Sequence, residues 1–394
     1  MKENTGFHLA KRVAHLTPSA SLAIEAKAKK LKSEGMNVIS FGAGESDFDT
    51  PSYIKSAAIE ALNKGFTKYT PAQGTLELRK AIAEKLKRFN GLQYSPEEIV
   101  VSCGAKHSIY NLIQVLVEEG DEVLMPSPYW LSYPEMVSLA GGKSIFIPTT
   151  EENDFKITPS TLKKYLRPQS KILILNSPSN PTGAVYSEEE LRELSFLIKE
   201  HELFVISDEI YEKLLYDGRK HFSMASIDNE IKKLTITVSG HSKTYAMTGW
   251  RIGYLACEKE IAQAVASLQS HSTSNPTSFA QVGAEAALTK EDGQWIEKMR
   301  SVFEKRRDLI FNEMSRIKKL SPFKPQGAFY LFCNIEKTGV ASVPFCERLL
   351  EDKQVACVPG LAFGSDHHIR LSFATSEENI LEGLKRIRAF VESP

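Results

Sequence analysis

Short apolar runs rich in β-branched residues alternate with longer segments of helical periodicity through the middle of the chain. The runs Ile99–Ser102, Glu122–Met125, Lys171–Asn176, Leu203–Ser207, Leu234–Val238 and Ile252–Ala256 predict strands. Most lack the polar alternation of a half-exposed strand, so they fit a largely parallel sheet covered by helices on both faces. Between them, Ser108–Glu119 sets Ile109, Leu112, Ile113 and Leu116 at helical spacing, and Leu191–Glu200 repeats the pattern. Such alternation is how an α/β layered domain is written.

Beyond residue 290 the pattern changes to a long charged helix over Gly293–Leu320, a short-strand region and a last helix at Glu377–Glu392. These predict a smaller second unit. The expected division is an N-terminal segment, 1–47, contributing to the small domain, a large domain over 48–290 and a small C-terminal domain over 291–394. A helix over Ser19–Glu34 precedes the sheet, and the pattern leaves open which unit it packs on.

Composition narrows the class. A chain of 394 residues has room for roughly two to three domains. Lys+Arg and Asp+Glu each total 49, and no basic block stands out, which argues against nucleic acid. Lys305-Arg306-Arg307, flanked by Glu304 and Asp308, reads as a solvated helix face. Met1–Lys11 lacks the apolar core of a secretory signal, and no apolar run approaches the ~20 residues of a membrane helix. A soluble, cytoplasmic protein is expected. Cys103, Cys257, Cys333, Cys346 and Cys357 form no C-x-x-C pair and read as free buried thiols.

Four segments carry candidate chemistry. Asn176-Ser-Pro-Ser-Asn-Pro-Thr-Gly183 follows an apolar strand with an irregular turn, at the end where open α/β sheets bind ligands. An ordinary βα loop explains this segment alone equally well. Asp208, in Ser207-Asp-Glu-Ile-Tyr211, also lies past a strand, where an acid is costly without a cation; a protonated pyridine nitrogen is one such partner. Taken alone, Asp208 fits an N-cap better. Lys243 lies among small residues in Ser239-Gly-His-Ser-Lys243, with Arg251 eight residues on, a setting that suits a Schiff-base lysine, although most lone lysines are surface charges. Finally, Ser102-Cys-Gly104-Ala-Lys106 runs from strand into helix and offers backbone N–H groups to a phosphate; many such junctions only pack helix on strand.

A phosphate cradle, a buried acid, a tyrosine and a flanked lysine together are what an aldehyde-bearing pyridine phosphate requires. With these motifs the chain resembles the fold-type I pyridoxal-phosphate aminotransferases, specifically the aspartate aminotransferases of the class I/II group. The resemblance runs from Gly42-Ala-Gly-Glu-Ser-Asp-Phe-Asp-Thr-Pro51 to Ile369-Arg-Leu-Ser-Phe-Ala-Thr-Ser-Glu-Glu-Asn379. It implies a large domain with a mostly parallel seven-stranded sheet between helices, and a smaller α+β domain drawn from both termini.

The resemblance also implies roles. Lys243 would be the Schiff-base lysine and proton carrier, Asp208 the partner of the pyridine nitrogen, Tyr211 and Asn180 the partners of the phenolic oxygen, and Trp130 the stacking aromatic. Gly104, Ala105, Lys106 and Arg251 would meet the phosphate or lie beside it. Tyr69, in Lys68-Tyr-Thr-Pro-Ala-Gln-Gly74, would reach the phosphate of a neighbouring subunit, implying a homodimer with shared active sites. Arg370 would take the substrate α-carboxylate with Asn180 and the Gly42 backbone; taken alone, between Ile369 and Leu371, it reads as a surface strand arginine.

Two departures stand out. His241 replaces an apolar or small residue two before the lysine, and Leu268-Gln-Ser-His-Ser-Thr-Ser-Asn-Pro276 lacks the arginine that many of the aspartate enzymes use for the second carboxylate. One branch, mainly bacterial, uses instead a lysine in the cradle turn and a serine near the N-terminus, positions held here by Lys106 and Ser19. The expectation is transfer of an amino group from aspartate to 2-oxoglutarate by a ping-pong mechanism. Members of the branch also accept prephenate or aromatic amino acids, and Thr17 stands where relatives have a lysine. A C–S β-lyase and a non-enzymatic ligand sensor are the competing classes.

Overall fold

The computed structural model describes residues 10–14, 16, 20–290 and 293–392. Its centre is a seven-stranded sheet of β2 (Ile99–Ser102), β3 (Glu122–Ser127), β4 (Lys143–Pro148), β5 (Ser170–Asn176), β6 (Phe204–Asp208), β7 (Thr235–Gly240) and β8 (Gly253–Ala256). The spatial order is β2-β8-β7-β6-β5-β3-β4. All neighbours pair in parallel except β8, which runs against both β2 and β7. The fold is thus α/β with a mostly parallel sheet, as the continuous apolar runs predict.

Strands β2, β7 and β8 are buried throughout, because helices cover both faces. On one face Val100, Met125, Ile174 and Val238 pack with Ile109, Leu112 and Ile113 of the helix Ala105–Leu116. On the other, Leu124, Leu173 and Val205 pack with Leu191, Leu194 and Ile198 of the helix Glu188–Glu200. That helix starts at Ser187, whose hydroxyl accepts from the Glu190 N–H while the Glu190 carboxylate accepts from the Ser187 N–H. Strand β4 escaped the sequence reading. It is an edge strand in which only Ile147 is buried, and its apolar stretch is three residues, Ile145 to Ile147, between Ser144 and Pro148.

A second sheet, β12 (Val358–Pro359), β13 (His368–Ser372), β10 (Tyr330–Asn334) and β9 (Ser321–Phe323), is antiparallel. It packs with the helices Gln294–Ser315, Ser342–Lys353 and Glu377–Val391 through Phe303, Phe345, Ile369, Leu371 and Ile387. The N-terminal part of the chain joins this unit. Strand β1 (Ile39–Ser40) pairs in parallel with β11 (Val355–Ala356), and Ala28, in the helix Ala20–Ser33, packs with Val38, Leu350 and Ala356. Nothing in the helix's own pattern foretold that side.

Two expectations change on contact with the structure. Arg307 belongs to no solvated face: it is fully buried and donates to both carboxylate oxygens of Asp217 at 2.7 and 2.9 Å. Neighbouring Arg306 reaches Asp47 at 2.8 Å, so the basic cluster ties the long helix to other segments. Four of the five cysteines are buried thiols, but Cys103 is half-buried. Among the described residues no helix is long and apolar enough to cross a membrane.

Candidate active site

The C-terminal ends of β2, β5, β6 and β7 share one sheet edge, where the register sets Asn176 beside Asp208 and Asp208 beside Val238. Because β8 runs the other way it starts at this edge, with Gly253 opposite both Gly240 and Ser102. Lys243 follows β7 and Arg251 precedes β8, so both arrive at the same place. A cavity of about 560 Å³ opens there. Its sheet side carries Ala105, Lys106, Trp130, Asn180, Asp208, Tyr211, Lys243 and Arg251; Gly42, Tyr330 and Arg370 complete it from the second unit.

The turn from β2 into the helix Ala105–Leu116 needs glycine. Gly104 has φ +87°, and a Cβ there would stand 2.4 Å from Arg251 Nη2; one on Gly253 would stand 2.1 Å from the Ala105 nitrogen. Without either side chain, the helix start and the guanidinium share one wall of the cavity. Arg251, itself left-handed at φ +57°, donates to the carbonyls of Thr248 (2.8 Å) and Cys103 (3.2 Å). Lys106 extends its ammonium over the Trp130 ring, 5.0 Å from the centroid. Trp130 is half-buried and meets Tyr133 edge-on at 5.2 Å.

Asp208 is buried and caps no helix; the chain turns instead. Its Oδ2 accepts from the Tyr133 hydroxyl (2.6 Å) and its Oδ1 from the Ile210 N–H (3.3 Å). Burial pushes the carboxyl up to about 6, against the pull of these two donors. Tyr211 shares a hydrogen bond of 2.9 Å with Tyr330. Lys243 is half-buried and donates to the Gly44 carbonyl. Burial brings its ammonium down to about 8; Arg251, Arg370 and Lys106 push the same way, and Glu45 opposes them.

Arg370 is no surface arginine. Only 2% exposed, it donates from Nη1 to Asn180 Oδ1 (3.0 Å) and from Nη2 to the Gly42 carbonyl (2.9 Å), and its guanidinium lies 4.3 Å from the Tyr330 ring centroid. Burial lowers its pKa, and its Nε is buried with no hydrogen-bond partner. Asn180 is held in turn by Asn176, whose Oδ1 accepts the Asn180 N–H at 2.7 Å.

The structure thus brings Gly42, Ala105, Lys106, Trp130, Asn180, Asp208, Tyr211, Lys243, Arg251 and Arg370 to one cavity, with Gly104 at its edge. Tyr69 lies apart, 90% exposed. Ser19 and Thr17 fall outside the described residues. Sequence reasoning gave no role to Tyr133, Tyr330 or Glu45. Tyr133 follows Trp130 by three residues at the start of the helix Ser132–Leu139, and this closeness in sequence is the signal that could have found it; Tyr330 offers none, being one aromatic in an apolar strand. His241 is buried and stacks on Tyr245 at 5.7 Å, with burial pulling its pKa down to about 4, so it is a neutral packing ring behind Lys243.

The profile of the family described as aminotransferase class I and II matches residues 36–387. The aspartate aminotransferase of Bacillus subtilis (strain 168) is 50% identical over 98% of this chain and 99% of its own. An aspartate/prephenate aminotransferase of Thermus thermophilus is 44% identical, covering 96% and 97%. Among solved structures, an aspartate aminotransferase from Thermus thermophilus with maleate superposes with a TM-score of 0.94 at 44% identity, covering 97% of this chain and 99% of that one.

Proposed function

The chain belongs to the class I and II aminotransferase family, and from this we propose that it moves the amino group of aspartate to 2-oxoglutarate by a ping-pong reaction on pyridoxal 5′-phosphate. The observation that carries the reading is a single cavity lined by Lys243, Asp208, Arg251 and Arg370, whose three cations have no carboxylate partner among the described residues. The residues fit the cofactor: a helix start and Arg251 for a phosphate, a buried acid for a ring nitrogen, an amine for an aldehyde. When bound, the cofactor supplies an electron sink for the carbanion left at the substrate Cα.

The side chains do the rest. Gly104, Ala105 and Arg251 hold the phosphate end, with Lys106 beside it, and Trp130 covers a ring face. Asp208, oriented by Tyr133, keeps the ring nitrogen protonated; the cation it meets there reverses the shift that burial imposes. Tyr211 and Asn180 bind the phenolic oxygen. Arg370 receives the α-carboxylate as a planar fork, with Asn180 and the Gly42 carbonyl already fixing its plane. Lys243, near 8, changes protonation close to neutral pH, as a group that moves a proton at Cα must. Lys106 and Ser19 take the distal carboxylate. Exposed Tyr69 reaches the partner subunit's phosphate, so the working unit is a homodimer. Residues 48–290 form the large domain of this reading, with 1–47 and 291–394 the small one.

A second reading, prephenate or aromatic substrates, is favoured by relatives named aspartate/prephenate aminotransferase. Visible spectra of the purified protein separate the two. Aspartate added without oxo acid should convert the visible cofactor band, and 2-oxoglutarate should restore it. A band that aspartate leaves unchanged while phenylalanine converts it would replace the first reading with the second.

A further inference from the structure

The segment after β6 has two faces. Asp208 and Tyr211 line the cavity, whereas Glu209 and Glu212, one residue on from each, are buried on the other side. Glu212 Oε1 accepts from the Lys85 ammonium and from Ser239 Oγ (3.1 Å), and its Oε2 from Asn90 Nδ2 (3.0 Å). Glu209 Oε1 accepts from Ser207 Oγ (2.9 Å) and Ser223 Oγ (2.6 Å), and its Oε2 lies 2.8 Å from His221 Nε2. Lys85 closes the ring with a bond to Asn90 Oδ1 at 3.0 Å.

Glu209, Glu212 and His221 come close enough together to hold a metal ion. The Lys85 ammonium already sits on Glu212, however, and supplies the positive charge such a site would need. Two acids then face two bases: burial works against the charges of Glu212 and His221, but Lys85 and His221 hold Glu212 down to about 2, and Glu209 holds His221 above its ordinary value. The cluster ties together the helix Leu76–Lys85, the ends of β6 and β7, and the stretch from His221 to Ser223.

We propose that Glu212 with Lys85, and Glu209 with His221, are positioning residues: they clamp the 208–212 turn from behind and so set where Asp208 and Tyr211 stand in the cavity. On the cavity side the turn is held by Tyr133 on Asp208, by Tyr330 on Tyr211 and by the packing of Ile210 and Leu214; the rear cluster fastens its other face. Backbone bonds tie only the turn's start to neighbouring strands, Ser177 N–H to the Asp208 carbonyl and Glu209 N–H to that of Val238, whereas Glu212 N–H to Glu209 and Leu214 N–H to Tyr211 stay within the turn, so side chains fasten the rest. This rests on the cofactor reading above for its consequence, not for its geometry.

The test uses Glu212→Gln and the charge-neutral double variant Lys85→Met with Glu212→Gln, which folds even where the single charge left buried does not. Hydrogen exchange on the full-length protein should accelerate about tenfold or more in residues 208–214 of both variants, and distinctly less in the helix Gln294–Ser315, which reports global opening. Affinity for pyridoxal phosphate, titrated by fluorescence, should weaken about tenfold in parallel. Equal acceleration in both segments, or none at 208–214 in the double variant, overturns the clamp. A wild-type protein that binds no pyridoxal phosphate would instead overturn the cofactor reading, while exchange still decides the clamp.

Discussion

Two charge clusters, one lining the open cavity and one buried behind it, lie back to back across one turn, and they are built on opposite terms. In front, among the described residues, Lys106, Lys243, Arg251 and Arg370 meet ring faces, carbonyl oxygens and an amide oxygen but form no salt bridge, and Asp208 meets a phenol and a backbone N–H. Behind, Lys85 pairs with Glu212 and His221 with Glu209. The pKa shifts follow: the front acid rises and the front lysines fall, whereas the rear acid Glu212 falls and the rear base His221 rises. Charges left unsatisfied by the protein are available to a ligand. Charges satisfied within it hold the structure.

The largest test of this contrast is Lys243→Ala. Turnover should vanish, and the thermal midpoint of the cofactor-free protein should stay level or rise, because an amine held near 8 opposes folding at neutral pH. A clear drop in that midpoint would break the contrast. Next comes a pair of isosteric changes with opposite signs. Glu212→Gln strands Lys85 and should cost about 3–5 kcal/mol in denaturant unfolding at pH 7. Asp208→Asn should stabilise the cofactor-free protein by about 3 kcal/mol, since its carboxyl lies near 6 folded against 3.8 as its ordinary value.

The pH signs differ likewise. Asp208 binds its proton more tightly when folded, so its contribution to stability is present below about pH 4 and lost as the pH rises through 6. Glu212, depressed to about 2, contributes above its ordinary 4.5 and loses that contribution as the pH falls through 2. Unfolding measured across this range in the two variants separates the terms.

Arg370→Ala comes third. Its guanidinium is fixed by Asn180 and Gly42 before any substrate arrives, so the loss should appear in kcat/KM for every amino acid, by about 2–5 kcal/mol. A loss confined to one substrate would mean that Arg370 does not hold the carboxylate common to them all.

The front cluster was legible because its chemistry needs particular residues in motifs: a lysine after a strand, an acid after another, a glycine where the chain passes an arginine. The sheet was legible wherever both faces are covered, which is why β4, an edge strand with one buried residue, was not. The rear cluster was hidden for the reason that makes it stable. Glu209 and Glu212 stand beside Asp208 and Tyr211 in the same motif, but Lys85 lies 127 residues from Glu212, and no local pattern announces that pair. Arg307 misled in the same way, since its partner Asp217 is 90 residues distant.

The smallest effect expected is also the most discriminating. Lys106 lines the cavity with its ammonium over Trp130, with no carboxylate partner among the described residues, and burial and Arg251 lower its pKa. It stands close enough to the helix start to serve a phosphate and reaches far enough into the cavity to serve a second substrate carboxylate. The two roles predict different patterns. If it binds the distal carboxylate, Lys106→Ala should lower kcat/KM for aspartate and glutamate by about 1.5–3 kcal/mol more than for alanine or phenylalanine, the worth of a charge-assisted hydrogen bond. If it binds the phosphate, all four substrates should lose alike, and cofactor affinity should fall with them. Measured on the same preparations, the ratio across substrates decides whether the unpaired charge at this position selects the substrate or holds the cofactor.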